Sequence, residues 1–263
     1  MYRRTTTSCL AALLCLSATT AFAADRDAYS LSVGANYSSG DYGTGTNTRI
    51  FSIPVTGQYD TGPWSLRLTV PYLYVSGGTA IPGIGQVPNS NPNARGRGGA
   101  SSSASGLGDI VVAGVYNAYY DRAAGAGVDV TGKIKFGTAD ANKGMGTGED
   151  DVSAQVDGYQ TYGKATLFAG IGYTVFGSSS FLSLDDAVNI ALGVNYRLDD
   201  SRSVGVRLDA RAPVYADISE QRELMGYWVR RIDKTWKAQV YVLKGFADGS
   251  PDWGVGAVAV YAF

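Results

Sequence analysis

The sequence predicts an all-β protein, a transmembrane antiparallel up-and-down β-barrel of 12 strands that follows a cleaved signal peptide. Three observations support this prediction. Apolar and polar residues alternate with period two in runs of about ten residues, the length of a tilted membrane strand. The connections between runs alternate between tight turns and longer segments. Tyr and Trp residues concentrate near the ends of the runs, as in the aromatic girdles of membrane proteins.

The first 23 residues are predicted to be a secretory signal peptide. Arg3 and Arg4 supply the positive start, Leu10 to Leu16 form a short apolar run, and Ala21 to Ala23 form a small-x-small cleavage site. A retained N-terminal anchor is the alternative, although the apolar run is too short for a membrane-spanning helix. The predicted domains are a signal peptide at 1–23 and a barrel at 24–263.

Composition excludes several classes of function. The chain has no His, and its two Cys residues, Cys9 and Cys15, lie in the predicted signal peptide. His-dependent catalysis and His-ligated zinc are therefore excluded, and we expect no enzyme activity, no metal and no cofactor. The net charge of −1 does not provide the basic surface of a nucleic-acid-binding protein.

The strands are predicted from alternation along the chain. In one run Leu66, Leu68 and Val70 alternate with polar residues, which gives a strand with one apolar and one polar face. Such runs recur at 28–38, 48–59, 64–75, 107–118, 127–137, 150–160, 164–176, 186–197, 202–214, 223–232, 235–246 and 252–263. Their even number agrees with both chain ends lying on the periplasmic side.

The connections sort by length. Tight turns at 60–63, 161–163 and 199–201 fall between longer connections, which lie at 39–47, 76–106, 138–149, 177–185 and 215–222. Two connections, 119–126 and 247–251, are of similar length and interrupt the alternation. A soluble two-sheet sandwich, the alternative fold, gives no reason for such sorting.

The last strand carries an apolar face that ends on an aromatic residue. That face consists of Trp253, Val255, Ala257, Ala259, Tyr261 and Phe263. A terminal Phe in this context resembles the assembly signal of bacterial outer-membrane proteins. We therefore expect export through the periplasm to the outer membrane, with the assembly machinery, which would recognise Phe263, and membrane lipid and lipopolysaccharide as partners.

The charged residues within the strands lie on the face opposite the apolar one, so we expect them to line the lumen: Arg67, Asp109, Lys133, Lys135, Asp157, Arg197, Arg207, Asp209, Arg211 and Lys237. Opposite charges on neighbouring strands could form a structural ion-pair network. Alternatively, the same residues could set the selectivity of a solute path. Strands eight to eleven are basic except for Asp209, which predicts a net positive wall. No face can be assigned to Arg230 or Arg231.

Two connections carry further candidate residues. The long loop 76–106 is rich in Gly, Ser, Asn and Pro, and it could either fold into the mouth as a constriction or extend outside. In a constriction, Arg95 and Arg97 are the residues of interest. The acidic cluster at 149–151, with Asp140 before it, could hold a divalent cation or could simply be solvated.

Three segments carry a family resemblance. Gly106-Leu107-Gly108-Asp109-Ile110 opens a strand, a Gly-rich segment at 146–152 leads into another, and Phe168 to Gly177 spell FAGIGYTVFG. Together they resemble an outer-membrane transporter family linked to phenol degradation by the meta-cleavage pathway (MetA-pathway phenol degradation-like), over residues 45–263. The resemblance implies a channel for small, often aromatic or hydrophobic compounds.

We therefore expect a porin-like outer-membrane channel for passive uptake of small solutes, including aromatic or hydrophobic ones. A 12-stranded lumen would be wide enough for a small molecule but not for a protein. One alternative is a closed barrel with a structural or surface-interaction role. A barrel hydrolase is a further alternative, although the chain lacks the His on which outer-membrane lipases and proteases rely.

Overall fold

A computed structural model describes residues 27–43, 45–85, 91, 102–215 and 220–263. The predicted signal peptide, Arg95 and Arg97 lie outside these residues. No helix in the described part of the chain is long and apolar enough to cross a membrane. The strand segments are β1 (Ala28–Gly40), β2 (Thr48–Thr61), β3 (Trp64–Gly77), β4 (Ser103–Leu107), β5 (Ile110–Asp121), β6 (Ala126–Phe136), β7 (Asp151–Tyr162), β8 (Ala165–Val175), β9 (Ala187–Arg197), β10 (Arg202–Arg211), β11 (Gln221–Arg231), β12 (Trp236–Gly245) and β13 (Trp253–Ala262).

The strands close into one antiparallel barrel. The closing contact joins β1 to β13, with Val33 opposite Ala259, while β1 also pairs with β2 on its other side. Segments β4 and β5 both pair with β3 and together form a single barrel strand. The prediction of 12 antiparallel strands is confirmed. Closure pairs the two edges that an open sheet would expose to lipid, where backbone groups find no hydrogen-bond partner.

A pair of prolines explains the break between β4 and β5. Pro54 and Pro71 lie directly opposite one another on β2 and β3. Because Pro71 has no N–H to donate, a regular ladder cannot continue at this point. Gly108 instead donates its N–H to the Pro71 carbonyl at 2.8 Å, and a Cβ at Gly108 would lie 2.8 Å from Leu73. The chain therefore leaves the strand at Gly108 and Asp109.

The barrel has an apolar exterior and a polar interior, as the alternation predicts. The residues between the outward side chains are buried, and many of them are polar, including Thr56, Thr69, Gln155 and Arg207. This is the reverse of a soluble sandwich, which buries its apolar face. The outward belt of large exposed apolar side chains includes Val33, Val55, Leu66, Leu68, Val130, Ile134, Ile171, Leu192, Val206, Val240 and Val255.

Long and short connections alternate without exception around the barrel. The turns at one end, here called the turn end, lie at 62–63, 122–125, 163–164, 198–201 and 232–235. The connections at the other end, the loop end, lie at 41–47, 78–102, 137–150, 176–186, 212–220 and 246–252. Of the two connections of similar length in the sequence, 122–125 belongs to the turn end and 246–252 to the loop end. The first is shorter than predicted because β5 and β6 extend further towards each other, and this restores the alternation.

Aspartates close two of the turns in the same way. The Arg202 side chain and the backbone N–H groups of Ser201 and Arg202 donate to Asp199. These hydrogen bonds hold the pKa of Asp199 below its usual range. The backbone N–H groups of Trp236 and Thr235 donate to Asp233 and lower its pKa likewise. Charge-assisted bonds of this kind stabilise tight turns.

Aromatic rings pair at both ends of the barrel. At the turn end, stacked Tyr29 and Tyr59 have ring centroids 4.8 Å apart, and other pairs join Trp64 to Tyr116 and Trp236 to Tyr261. At the loop end, Tyr37 lies 5.4 Å from Trp253. Rings with one polar atom suit the headgroup region, so these pairs mark two girdles.

Candidate functional site: the barrel lumen

A short segment of the long loop folds into the loop end of the barrel. It forms a turn from Ile81 to Gly85, here called the inward turn, in which the N–H of Gly85 donates to the Ile81 carbonyl at 2.9 Å. Ile81 and Ile84 are 2% and 6% exposed. This segment of the loop 76–106 therefore lies inside the mouth and not outside it.

Two kinds of contact hold the inward turn in place. The Arg211 guanidinium on β10 donates to the carbonyl of Gly83 at 2.8 Å and to that of Ile84 at 3.1 Å. Ile81 and Ile84 also pack in an apolar cluster with side chains of the connections 176–186 and 212–220 and of the start of β9: Phe176, Leu182, Leu184, Ala187 and Val214. The mouth is therefore narrowed by apolar packing and by the half-buried Arg211, which donates to two backbone carbonyls.

A second apolar cluster lies beside the first. It joins Tyr42 from the loop after β1 to residues of β2, β3 and the connections 78–102 and 137–150: Ile50, Leu73, Val75, Ala80, Ala139 and Met145. Burial raises the pKa of Tyr42, so its hydroxyl stays protonated at neutral pH. Met145, directly before the Gly-rich segment 146–152, packs in this cluster against the barrel wall.

The inward turn lies over a cavity in the lumen of about 210 Å³. Pro82, Gly83 and Ile84 form part of its wall. A smaller space of about 70 Å³ adjoins it and shares Gly83, Asp209 and Glu223 as lining residues. Six predicted lumen residues line the larger cavity, namely Arg67, Asp109, Lys133, Lys135, Asp209 and Arg211. The other four, Asp157, Arg197, Arg207 and Lys237, share the inward parity of their strands but do not line this cavity.

One of the predicted cross-strand ion pairs forms at the cavity wall. Lys135 Nζ lies 2.9 Å from Asp109 Oδ2 and 3.3 Å from Asp151 Oδ2, and it also donates to the Glu149 carbonyl at 2.9 Å. Asp109 in turn accepts the N–H of Ala139 at 2.9 Å. This ion-pair cluster therefore ties the loop 137–150 to the barrel wall.

The acidic cluster at 149–151 serves these structural contacts. Asp150 accepts the Gly137 N–H at 2.8 Å, and Asp140 caps the 3-10 turn Ala141–Lys143. Asp151 is buried against Lys135. In the part of the chain that the structure describes, no group of three or more acidic residues is arranged to hold a metal ion.

The other members of the predicted charge pattern make different contacts. Arg67 Nε donates to Gln58 Oε1 at 3.0 Å, and Asp157 accepts from Gln155 Nε2 at 2.7 Å. Lys133 forms no ion pair or hydrogen bond with any residue that the structure describes. The prediction of pairing across the ladder therefore holds for Asp109 with Lys135 but not for Lys133 with Asp157.

The part of the wall predicted to be basic except for Asp209 also contains Glu223, which lines the cavity. Arg207 is 1% exposed and its Nε lies 2.8 Å from Asp209, while Arg211 holds the inward turn. Glu223, which was not among the predicted residues, lies directly opposite Asp209 on β11 and lines both spaces. Its strand shows no clear alternation because the inward residues Met225 and Tyr227 are themselves apolar or aromatic.

Aromatic rings lie flat on the inner wall where the opposite strand has glycine. Tyr227 faces Gly205 across the β10–β11 pair, and a Cβ at Gly205 would overlap the ring. The same arrangement occurs in three other pairs: Tyr159 on Gly127, Phe168 on Gly193 and Tyr241 on Gly256. Lumen glycines thus give inward rings room along the wall and keep them out of the central space.

Comparison with known proteins identifies the fold. No family model matches the chain, and no curated protein matches it. Among solved structures, an outer-membrane channel from Pseudomonas putida F1 has a TM-score of 0.70 at 16% identity, covering 92% of this chain and 97% of that one. The NanC porin gives 0.53 at 10% identity, over 88% and 98%. A KdgM porin solved in complex with disordered oligogalacturonate gives 0.52 at 7% identity, over 88% and 99%. The protein therefore has the fold of these channels and porins.

Proposed function

We propose that this protein is an outer-membrane channel for the passive uptake of small solutes. The observation that carries the proposal is a lumen cavity of about 210 Å³ inside a closed barrel with an apolar exterior. The solved channels and porins of the same fold support it. The proposal involves no catalytic step and no cofactor, since solutes would cross the lumen by diffusion.

The cavity wall favours small molecules with both apolar and polar parts. Apolar side chains such as Leu73, Met145 and Phe176 line it together with the charged residues. A cavity of about 150 Å³ already holds benzene, so a molecule with one aromatic ring would fit. These features agree with the aromatic or hydrophobic compounds that the family resemblance implies.

The proposed location and partners follow from the barrel surface. We propose export through the periplasm and insertion into the outer membrane, with lipid and lipopolysaccharide around the apolar belt. Phe263 is 78% exposed at the turn end, next to Tyr261, so it remains accessible to an assembly factor. Its role in assembly stays a prediction, which the yield of folded barrel after deletion of Phe263 would test.

One observation favours the alternative of a closed structural barrel. The inward turn and its apolar cluster narrow the loop end, and Arg211 fixes them to the wall. Measurement of permeation separates the two functions. In planar bilayers and in liposome-swelling assays we expect ion current and entry of small neutral solutes. A folded barrel that passes neither ions nor small aromatic compounds would contradict the channel function.

Replacing Gly205 by Ala is expected to lower the single-channel conductance. The new Cβ would take the position of the Tyr227 ring, which would have to move from the wall into the lumen. The matched control is Gly132→Ala, where a new Cβ meets no atom within 4 Å. Adding Tyr227→Ala to the Gly205→Ala variant should restore the conductance. Equal currents in the two single variants would show that the ring does not limit the path.

A further inference from the structure

Lys133 is a buried lysine in the cavity wall. It lies on β6 and is 7% exposed, and it lines the larger cavity. Lys135, two residues further along the same strand, is engaged by Asp109 and Asp151. Lys133 has no such partner among the residues that the structure describes. The two lysines therefore differ in their bonding although they share a strand and a face.

None of the acids that line the cavity is hydrogen-bonded or ion-paired to Lys133. Asp151 acts on Lys133 electrostatically, but its carboxylate is bonded to Lys135. Asp209 is bonded to Arg207, and Glu223 lies on β11, five strands away from β6. A buried charge without a bonded partner is costly. Such a position is therefore suited to a ligand that brings the opposite charge.

The wall beside Lys133 leaves room for a bound group. Lys133 lies opposite Ala113 on β5 and opposite Ser153 on β7. On the far side of Ala113, Arg67 occupies the same row of the inner wall. Two cationic side chains thus flank a small residue, and all four residues line the cavity. The small side chains of Ala113 and Ser153 leave space beside Lys133.

We propose that Lys133 binds the carboxylate of a small amphipathic solute whose apolar body lies against the apolar wall of the same cavity. The inference rests on the proposed function in taking this ligand to be the transported solute. It narrows the substrate class to small monocarboxylates with an apolar or aromatic body. A carboxylate can accept charge-assisted hydrogen bonds from the ammonium, whereas a neutral isostere cannot replace the charge.

Benzoate and benzamide are matched probes for this site, since they differ in charge but little in shape. Isothermal titration calorimetry on the purified barrel in detergent should show benzoate binding roughly ten- to one-hundredfold more tightly than benzamide, the usual worth of a hydrogen bond to a charged group. Lys133→Gln should remove that preference, and Lys133→Arg should retain most of it. Lys237→Gln, an inward lysine that does not line the cavity, is the matched control.

The outcomes separate the inference from the proposed function. Equal affinities for the two probes in the wild-type barrel, or a preference that survives Lys133→Gln, would overturn the carboxylate site even if neutral solutes pass. Benzoate binding that depends on Lys133 would support the site even in a barrel that passes no solute, where the channel function would fail. Circular dichroism and the heat-dependent gel shift of each variant confirm that it is folded, and the wild-type comparison of probes does not depend on any variant.

Discussion

Replacing both Ile81 and Ile84 by Ser is expected to raise the single-channel conductance several-fold, because the inward turn would detach from the wall. The two side chains are buried in the apolar cluster at the mouth. Full burial of an Ile side chain contributes about 1.5–3 kcal/mol, so their loss removes most of the attachment. The hydrogen bonds from Arg211 to Gly83 and Ile84 would then have to hold the turn alone.

The barrel itself should survive this change, since none of its strand pairs involves the inward turn. Conductance in planar bilayers provides the measurement. Phe246→Ser is the control, because it makes a similar change at the same end of the barrel in a side chain that is exposed. If the double variant conducts like the wild type, the inward turn is not the constriction.

Replacing Lys135 by Met is expected to destabilise the barrel by about 3–5 kcal/mol, the usual cost of removing one partner from a buried ion pair. Asp109 and Asp151 would remain buried without their cation, with side chains only 13% and 5% exposed. The contact between loop 137–150 and the wall would be lost with it. Urea unfolding followed by Trp fluorescence measures the change in the free energy of unfolding.

A second lysine in the same region offers the comparison. Lys143 pairs with Asp140 at 3.3 Å, but both side chains are largely exposed. Lys143→Met should therefore change the stability by less than about 1 kcal/mol. Adding Asp109→Asn and Asp151→Asn to the Lys135→Met variant should recover part of the loss, because the uncompensated charges are removed. Similar losses for Lys135→Met and Lys143→Met would contradict the buried ion-pair cluster.

The strand count and the faces of the strands could be predicted because a membrane imposes the same local rule on every strand. Leu66, Leu68 and Val70 alternate with polar neighbours since lipid lies on one side of β3 and the lumen on the other. This alternation does not identify the inward face of a strand whose lumen residues are themselves apolar. Glu223 was missed for that reason, because Met225 and Tyr227 give β11 two faces of similar character.

The contents of the lumen depend on contacts between distant parts of the chain. Nothing local to Ile81 or Ile84 distinguishes an inward turn from an outer loop; Arg211, well over 100 residues away, provides the anchor. Similarly, Lys133 and Lys135 are the same residue type on the same face of β6, so the local sequence does not show which of them forms an ion pair. The sequence by itself therefore determined the barrel, its 12 strands and the inward face of the strands that alternate clearly. Only the tertiary structure decided which lysine is paired and where the lumen narrows, because charge pairing and packing depend on residues that the barrel brings together from separate strands and loops.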